Sequence, residues 1–215
     1  MLYPTQKHKE YISYISEVCH QKGLSLLLEG SLAAETAKEF SDIDIVVCGD
    51  MEDGDLDDII KGYHELVMTN YTENPKGIFI LNYKNGISVD LDIRQTVTQN
   101  ELDCGIVLLN FGFSVGDAAV RKDIRSKYLP DRPQWYKTIR LIHRCCIKYL
   151  CGNLKAADGL KQEMIHSVYQ CCKKTPLYKN EMKLDLMVAF QAICDEFPVD
   201  REVVALFENL FHAMN

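Results

Sequence analysis

Two pairs of aspartates, Asp42 with Asp44 and Asp90 with Asp92, are the residues of this 215-residue chain whose types and spacing could do chemistry. Both pairs sit in strand-like runs, "DIDIVVC" at 42–48 and "ISVDLDIR" at 87–94. Successive side chains of a strand point to opposite faces, so each pair shares one face while Ile43, Ile45, Val89 and Leu91 take the other. Two carboxylates placed so closely repel, and one takes up a proton unless a cation lies between them. Mg²⁺ is the economical counter-charge, because it favours oxygen ligands and is typically held by carboxylates together with substrate phosphates. If the two strands are sheet neighbours, three or four carboxylates converge. That is the donor set of a two-metal site, in which one ion lowers the pKa of an attacking hydroxyl and the other steadies a departing phosphate. Face geometry does not distinguish Asp90 from Asp92 as the third ligand, and the remaining one would support it or act as general base.

Gly30 and Ser31 supply a further part. They follow the apolar run "LSLLLE" at 24–29 and precede "LAAETAKEF", which the alanines mark as a short helix. Glycine allows close backbone approach, and a helix start offers N–H groups to phosphate oxygens, with the Ser31 hydroxyl adding a hydrogen bond. Lys38 reads equally as a phosphate contact or a solvated helix residue. Arg94 is open to two readings, a triphosphate contact or a salt bridge to neighbouring acids.

The elements that must position these residues are legible in outline. Residues 5–22 show helical spacing of Ile12, Ile15, Val18 and Cys19, stopped by Gly23. The acids of 50–58 lead into a helix, where negative charge near the N-terminus is favourable. An EF-hand fails there, since Gly54 at loop position six would put Gly49 at the first ligand. Residues 77–93 are two β-rich runs around Asn85-Gly86, a strong hairpin signal, and 104–110 reads as a further strand. Beyond about 117, apolar residues recur at helical spacing, with breaks at Pro130/Pro133, Cys151–Asn153, Thr175-Pro176 and Phe197-Pro198. The expected fold is α/β: a small mixed sheet with flanking helices over 1–115, then a C-terminal helical bundle over 116–215 that completes an acceptor cleft.

Gly30, Ser31, Leu32 and Ala33, followed by Ser41, Asp42, Ile43 and Asp44, resemble the signature of the DNA polymerase beta-type nucleotidyltransferase superfamily. Gly86, Ile87, Val89, Asp90 and Leu91 match its later strand motif. The helical part is similar in pattern to aminoglycoside and lincosamide nucleotidyltransferases. The resemblance implies a small mixed sheet, two Mg²⁺ ions held by Asp42, Asp44 and Asp90, and an NTP gripped by Gly30, Ser31 and Lys38. It implies transfer of a nucleoside monophosphate, AMP from ATP, to a hydroxyl of a small-molecule acceptor such as an antibiotic. One departure stands out: Glu35 occupies a position where many members carry a second glycine. That letter motivates an alternative, a non-catalytic module such as the antitoxin of a toxin–antitoxin pair. An enzyme acting on tRNA or protein is a second alternative.

Composition sets the remaining limits. The net charge of −7 argues against a nucleic acid partner, which a basic face would serve better, and the basic residues are scattered apart from Arg121, Lys122, Arg125 and Lys127. Nine cysteines form no C-x-x-C, so they read as reduced, hydrophobic side chains rather than as disulfides or, with His143 and His166, a zinc site. No run approaches the roughly 20 apolar residues of a membrane span, and the N-terminus lacks a secretory pattern, so a cytoplasmic location is expected.

Overall fold

The computed structural model describes residues 3–51, 53–73, 76–122 and 132–214. Arg125, Lys127 and Pro130 lie outside the described residues. The chain divides into two compact units, Met1–Pro130 and Asp131–Asn215. The first holds a mixed sheet. Its strands are β1 (Ser25–Leu28), β2 (Ile43–Cys48), β3 (Leu66–Glu73), β4 (Lys76–Tyr83), β5 (Ser88–Thr96), β6 (Ile106–Leu109) and β7 (Val120–Arg121). They run in the order β3-β4-β5-β2-β1-β6, and β7 adds to β5 where β4 ends. Because β7 has only two residues, it leaves no alternation in the sequence, and the sheet-bearing unit runs past residue 115. The eight-residue β3 likewise escapes the sequence reading, since "LVMTNYTE" mixes apolar and polar residues without a turn signal before it.

One pairing carries the rest. β2 lies parallel to β5, whereas β1–β2, β3–β4, β4–β5 and β1–β6 are antiparallel. Parallel strands cannot be joined by a tight turn. Here the connection runs through α3 (Asp53–Lys61), β3 and β4. The Asn85-Gly86 turn between β4 and β5 forms as expected, with Gly86 at φ +88°.

One face of the sheet is the core. Leu26, Leu28, Ile43, Ile45, Val47, Phe79, Leu81, Tyr83, Val89, Leu91 and Ile93 pack there with Tyr11, Ile12 and Ile15 of α1 (Gln6–Gln21) and with Ile59 and Ile60 of α3. Every aspartate of the two pairs alternates with these apolar residues. The opposite face is covered near β1 and β2 by a smaller apolar group, Leu27, Val46, Cys48 and Val97, with Leu102 from α4 (Gln99–Cys104). Thr98 and Glu101 form a reciprocal capping box that starts α4.

The second unit contains α5 (Gln134–Leu150), α6 (Leu154–Cys172), α7 (Met182–Glu196) and α8 (Arg201–Ala213). Helix α5 begins directly after Pro133, and Asn153 caps α6 by accepting from the Ala156 N–H. Phe190 stacks on Phe207 with ring centroids 4.1 Å apart, and His143 packs edge-on against Phe207. Asp185 is fully buried, ion-paired with Lys161 and accepting from the Lys179 N–H. The nine cysteines are free thiols. Burial pushes the thiols of Cys19, Cys48 and Cys145 up to about 12, so these three are protonated at neutral pH and unsuited to nucleophilic or zinc-binding roles. Among the described residues no helix is long and apolar enough to cross a membrane.

His143 makes this unit acid-sensitive. Burial, with Arg140 nearby, lowers its pKa to about 3 from an ordinary 6.5. Between those values the unfolded chain binds the extra proton, so stability is full above pH 6.5 and declines as pH falls, by up to about 1.4 kcal/mol per pH unit. Thermal unfolding at pH 7 and pH 5 checks this: His143→Gln flattens the decline. Equal declines in variant and parent assign the loss to other groups.

Candidate active site

The parallel register sets Asp44 directly beside Asp90, and Val46 beside Asp92. Adjacent strands are about 4.8 Å apart, so Asp44 and Asp90 stand as neighbours on the face opposite the core. Asp42 lies one residue ahead of β2, at the entrance to the strand, and its charge reaches His8. His8 meets the backbone carbonyl of Ser41 at 3.1 Å, which ties α1 to the segment leading into β2. Among the described residues no three His, Cys, Asp or Glu side chains gather into a metal-binding group. The Asp44–Asp90 pair nonetheless suits Mg²⁺, which is commonly bound by one or two carboxylates with the rest of its shell from phosphates and water.

Gly30 fits closely against this pair. It adopts φ +63°, and a Cβ added to it would fall 1.9 Å from Oδ2 of Asp44. Only glycine permits both the left-handed backbone and that approach. The Glu29 N–H donates to the Asp44 carbonyl at 2.9 Å, so the turn is tied to β2 at both backbone and side chain. The expected helix over 32–40 shrinks to a single turn, α2 (Gly30–Ala33). It stops because Glu35 takes a left-handed φ of +56°, a conformation that a helix cannot continue. Lys38 is exposed, and its N–H donates to Ser41 Oγ at 2.8 Å in the loop beyond α2.

Asp92 has different company. Its side chain is 5% exposed, and Arg94 approaches Oδ2 through both Nε and Nη2, at 2.9 and 2.8 Å. Arg121 of β7 meets both oxygens, with Nε 2.9 Å from Oδ1 and Nη2 2.8 Å from Oδ2. Arg94 also pairs with Glu101 of α4 and stands 3.6 Å from Glu29. Of the two readings of Arg94, the salt bridge is the one formed. Burial alone would lower the Arg94 guanidinium, but Asp92, Glu101 and Glu29 outweigh it and hold its pKa raised. Burial raises Glu29; Arg94 opposes the rise without cancelling it, and Glu101, Asp92 and Asp44 add to it. Glu101 is lowered, burial being outweighed by its Thr98 and Arg94 hydrogen bonds. Of the expected basic cluster, Arg121 is taken up by Asp92, and Lys122 Nζ donates to the Met51 carbonyl at 3.1 Å.

Sequence reasoning missed Glu29 and Glu101 as members of this charged group. Glu29 reads as the end of an apolar strand. Glu101 stands between the elements read from the sequence, although Thr98-x-x-Glu101 is a capping signal.

No family model matches the chain, and no curated protein matches it. Among solved structures it is similar to a Thermotoga maritima CCA-adding enzyme complexed with tRNA, at 13% identity and a TM-score of 0.33, over 97% of this chain and 52% of that one. The chain thus spans about half the length of that enzyme. The expectation, drawn from net charge, that a nucleic acid partner is unlikely is corrected here; the protein in that comparison is one complexed with tRNA. The physical reason is that net charge sums over the whole surface and does not fix the field at any one patch.

Two sets of substitutions probe this geometry. Gly30→Ala forces a Cβ into the Asp44 carboxylate and is destabilising by about 1–3 kcal/mol, whereas Glu35→Gly relieves a left-handed side chain and is neutral or stabilising by up to about 1 kcal/mol. Denaturant melts give both signs, and a harmless Gly30→Ala would mean that Asp44 does not need its present position. Asp92→Asn breaks a buried ion-pair group and destabilises by about 3 kcal/mol. The same melts test this, and an unchanged midpoint would mean that Arg94 and Arg121 do not depend on Asp92.

Proposed function

We propose that this chain is a Mg²⁺-dependent nucleotidyltransferase, moving a nucleoside monophosphate from an NTP to an acceptor hydroxyl with release of pyrophosphate. The observation that carries this reading is the Asp44–Asp90 register pair on one sheet face, with Gly30 packed against Asp44. A carboxylate pair and a glycine turn so joined give one place where a cation and a phosphate chain meet. The resemblance of Gly30-Ser31 and Ser41–Asp44 to the nucleotidyltransferase signature points the same way.

In this reading Asp44 and Asp90, joined by Asp42, hold Mg²⁺. The bound ions neutralise charge at the α-phosphate and make the acceptor hydroxyl more acidic. Gly30 and Ser31 orient the β- and γ-phosphates, with their backbone N–H groups and the Ser31 hydroxyl as donors. The acceptor oxygen bonds to the α-phosphorus, the bond from that phosphorus to the β-bridging oxygen breaks, and pyrophosphate carries the electron pair away. The hydroxyl proton passes to the Asp90 carboxylate. Asp92 does not take it: with both oxygens engaged by arginines, it fixes Arg94 and Arg121 instead. Lys38, exposed in the loop after α2, is left as a contact for the outer phosphates. ATP as donor and a sugar-like, antibiotic-sized acceptor are the substrates we favour, on the resemblance alone.

Calorimetry with ATP and Mg²⁺ tests the core of this reading. The parent chain binds ATP only with the metal. Asp44→Asn weakens that binding at least tenfold and removes pyrophosphate release, while its unfolding midpoint stays near that of the parent. Metal-independent binding, or near-normal transfer by Asp44→Asn, sinks the proposal and leaves the non-catalytic module in its place.

A further inference from the structure

β4 places an asparagine at the end of an apolar run, "GIFILNY". Asn82 pairs with Ser88 of β5, two residues before Asp90, whose own partner on β4 is Ile80. Directly opposed residues of an antiparallel pair share a face. Asn82 therefore stands on the face of Ser88 and Asp90, opposite the core side chains Phe79, Leu81 and Tyr83. It is 1% exposed, and neither Nδ2 nor Oδ1 has a hydrogen-bond partner. Buried side-chain amides nearly always have partners, and one with both ends unmet is destabilising without some reason beyond the fold.

The strand order says where that reason lies. Across the sheet come β1, leading to Gly30 and Ser31, then β2 with Asp44, then β5 with Asp90, then β4 with Asn82. In an in-line displacement the leaving and attacking oxygens flank the phosphorus on opposite sides. With the leaving phosphates at Gly30–Ser31, the β4 side of Asp90 is the side of the acceptor. We infer that the Asn82 carboxamide binds the acceptor, Nδ2 donating to one hydroxyl of a vicinal diol and Oδ1 accepting from its neighbour. The amide carries this donor and acceptor pair on one rigid group, which matches a diol and not an isolated hydroxyl. At 1% exposure, Asn82 meets an acceptor only when the cover over this face opens. Sugar rings and RNA 3′ ends both carry the diol. The inference rests on the nucleotidyl-transfer reading of the Gly30–Asp44–Asp90 site.

The test uses the full chain and Asn82→Leu, which keeps the branched outline of the side chain and removes its polarity. Three measurements are made: the unliganded melting temperature, calorimetry with ATP and Mg²⁺, and transfer of label from α-labelled ATP. The transfer acceptors are kanamycin in one arm and a short RNA with a free 3′-terminal diol in the other. The expected variant melts no lower than the parent and binds ATP within about twofold of it. It loses about tenfold or more in kcat/KM toward whichever acceptor the parent labels, and the labelled arm names the source of the diol. A lower melting temperature makes Asn82 a fold element and overturns the inference, as does unchanged kcat/KM. A parent that binds ATP and labels neither acceptor overturns the diol assignment while leaving nucleotide binding intact. A parent that does not bind ATP fails at the earlier reading, and the inference falls with it.

Discussion

The parallel contact between β2 and β5 is the constraint on which the first unit depends. It sets Asp44 beside Asp90 and Val46 beside Asp92, and it joins the hairpin side of the sheet to the side that carries Gly30. A slip of one residue would turn every apolar side chain of β2 from the core to the other face. Ile43, Ile45 and Val47, all essentially buried, therefore hold the register that aligns the carboxylates. The core side of the strand specifies the chemistry of its other side.

Electrostatics then sort aspartates that the sequence presents as equivalent. Asp90 and Asp92 share a strand, a face and a spacing, yet Asp92 is enclosed between two guanidiniums supplied by β5 and β7. Arg94 extends the group to Glu29 and Glu101 and so connects α4, β5 and the turn at Gly30. A buried charge left with one partner is strongly destabilising, so the members of such a group hold one another in place. Asp92 is thus the centre of an ion-paired group that adjoins the Asp44–Asp90 register pair.

Much of this was legible in the residues. Alternation marked β2 and β5, Asn85-Gly86 marked the turn between β4 and β5, and the prolines and Asn153 marked the helix ends. What was hidden depended on partners distant in the chain. Nothing local says that β2 pairs parallel with β5, that Arg121 returns to Asp92, or that Asn82 lacks a partner. β3 and β7 gave too little alternation to be seen. The alanines of 33–37 argued for a longer helix, and a single left-handed residue, Glu35, overrode their propensity. Glycine would adopt that left-handed φ more easily than glutamate does.

The crossover has a consequence for how the molecule comes to be. β3, β4 and β5 are consecutive antiparallel neighbours, so they can assemble from contacts close in sequence. β2 must wait for a loop of about forty residues to close onto β5, and contacts of that span form late in simple folding schemes. Asp44 and Asp90 come from the two sides of that late contact. A partly folded chain that has formed the hairpin but not this contact has yet to bring Asp44 beside Asp90, so the carboxylate pair is completed with the parallel contact rather than ahead of it.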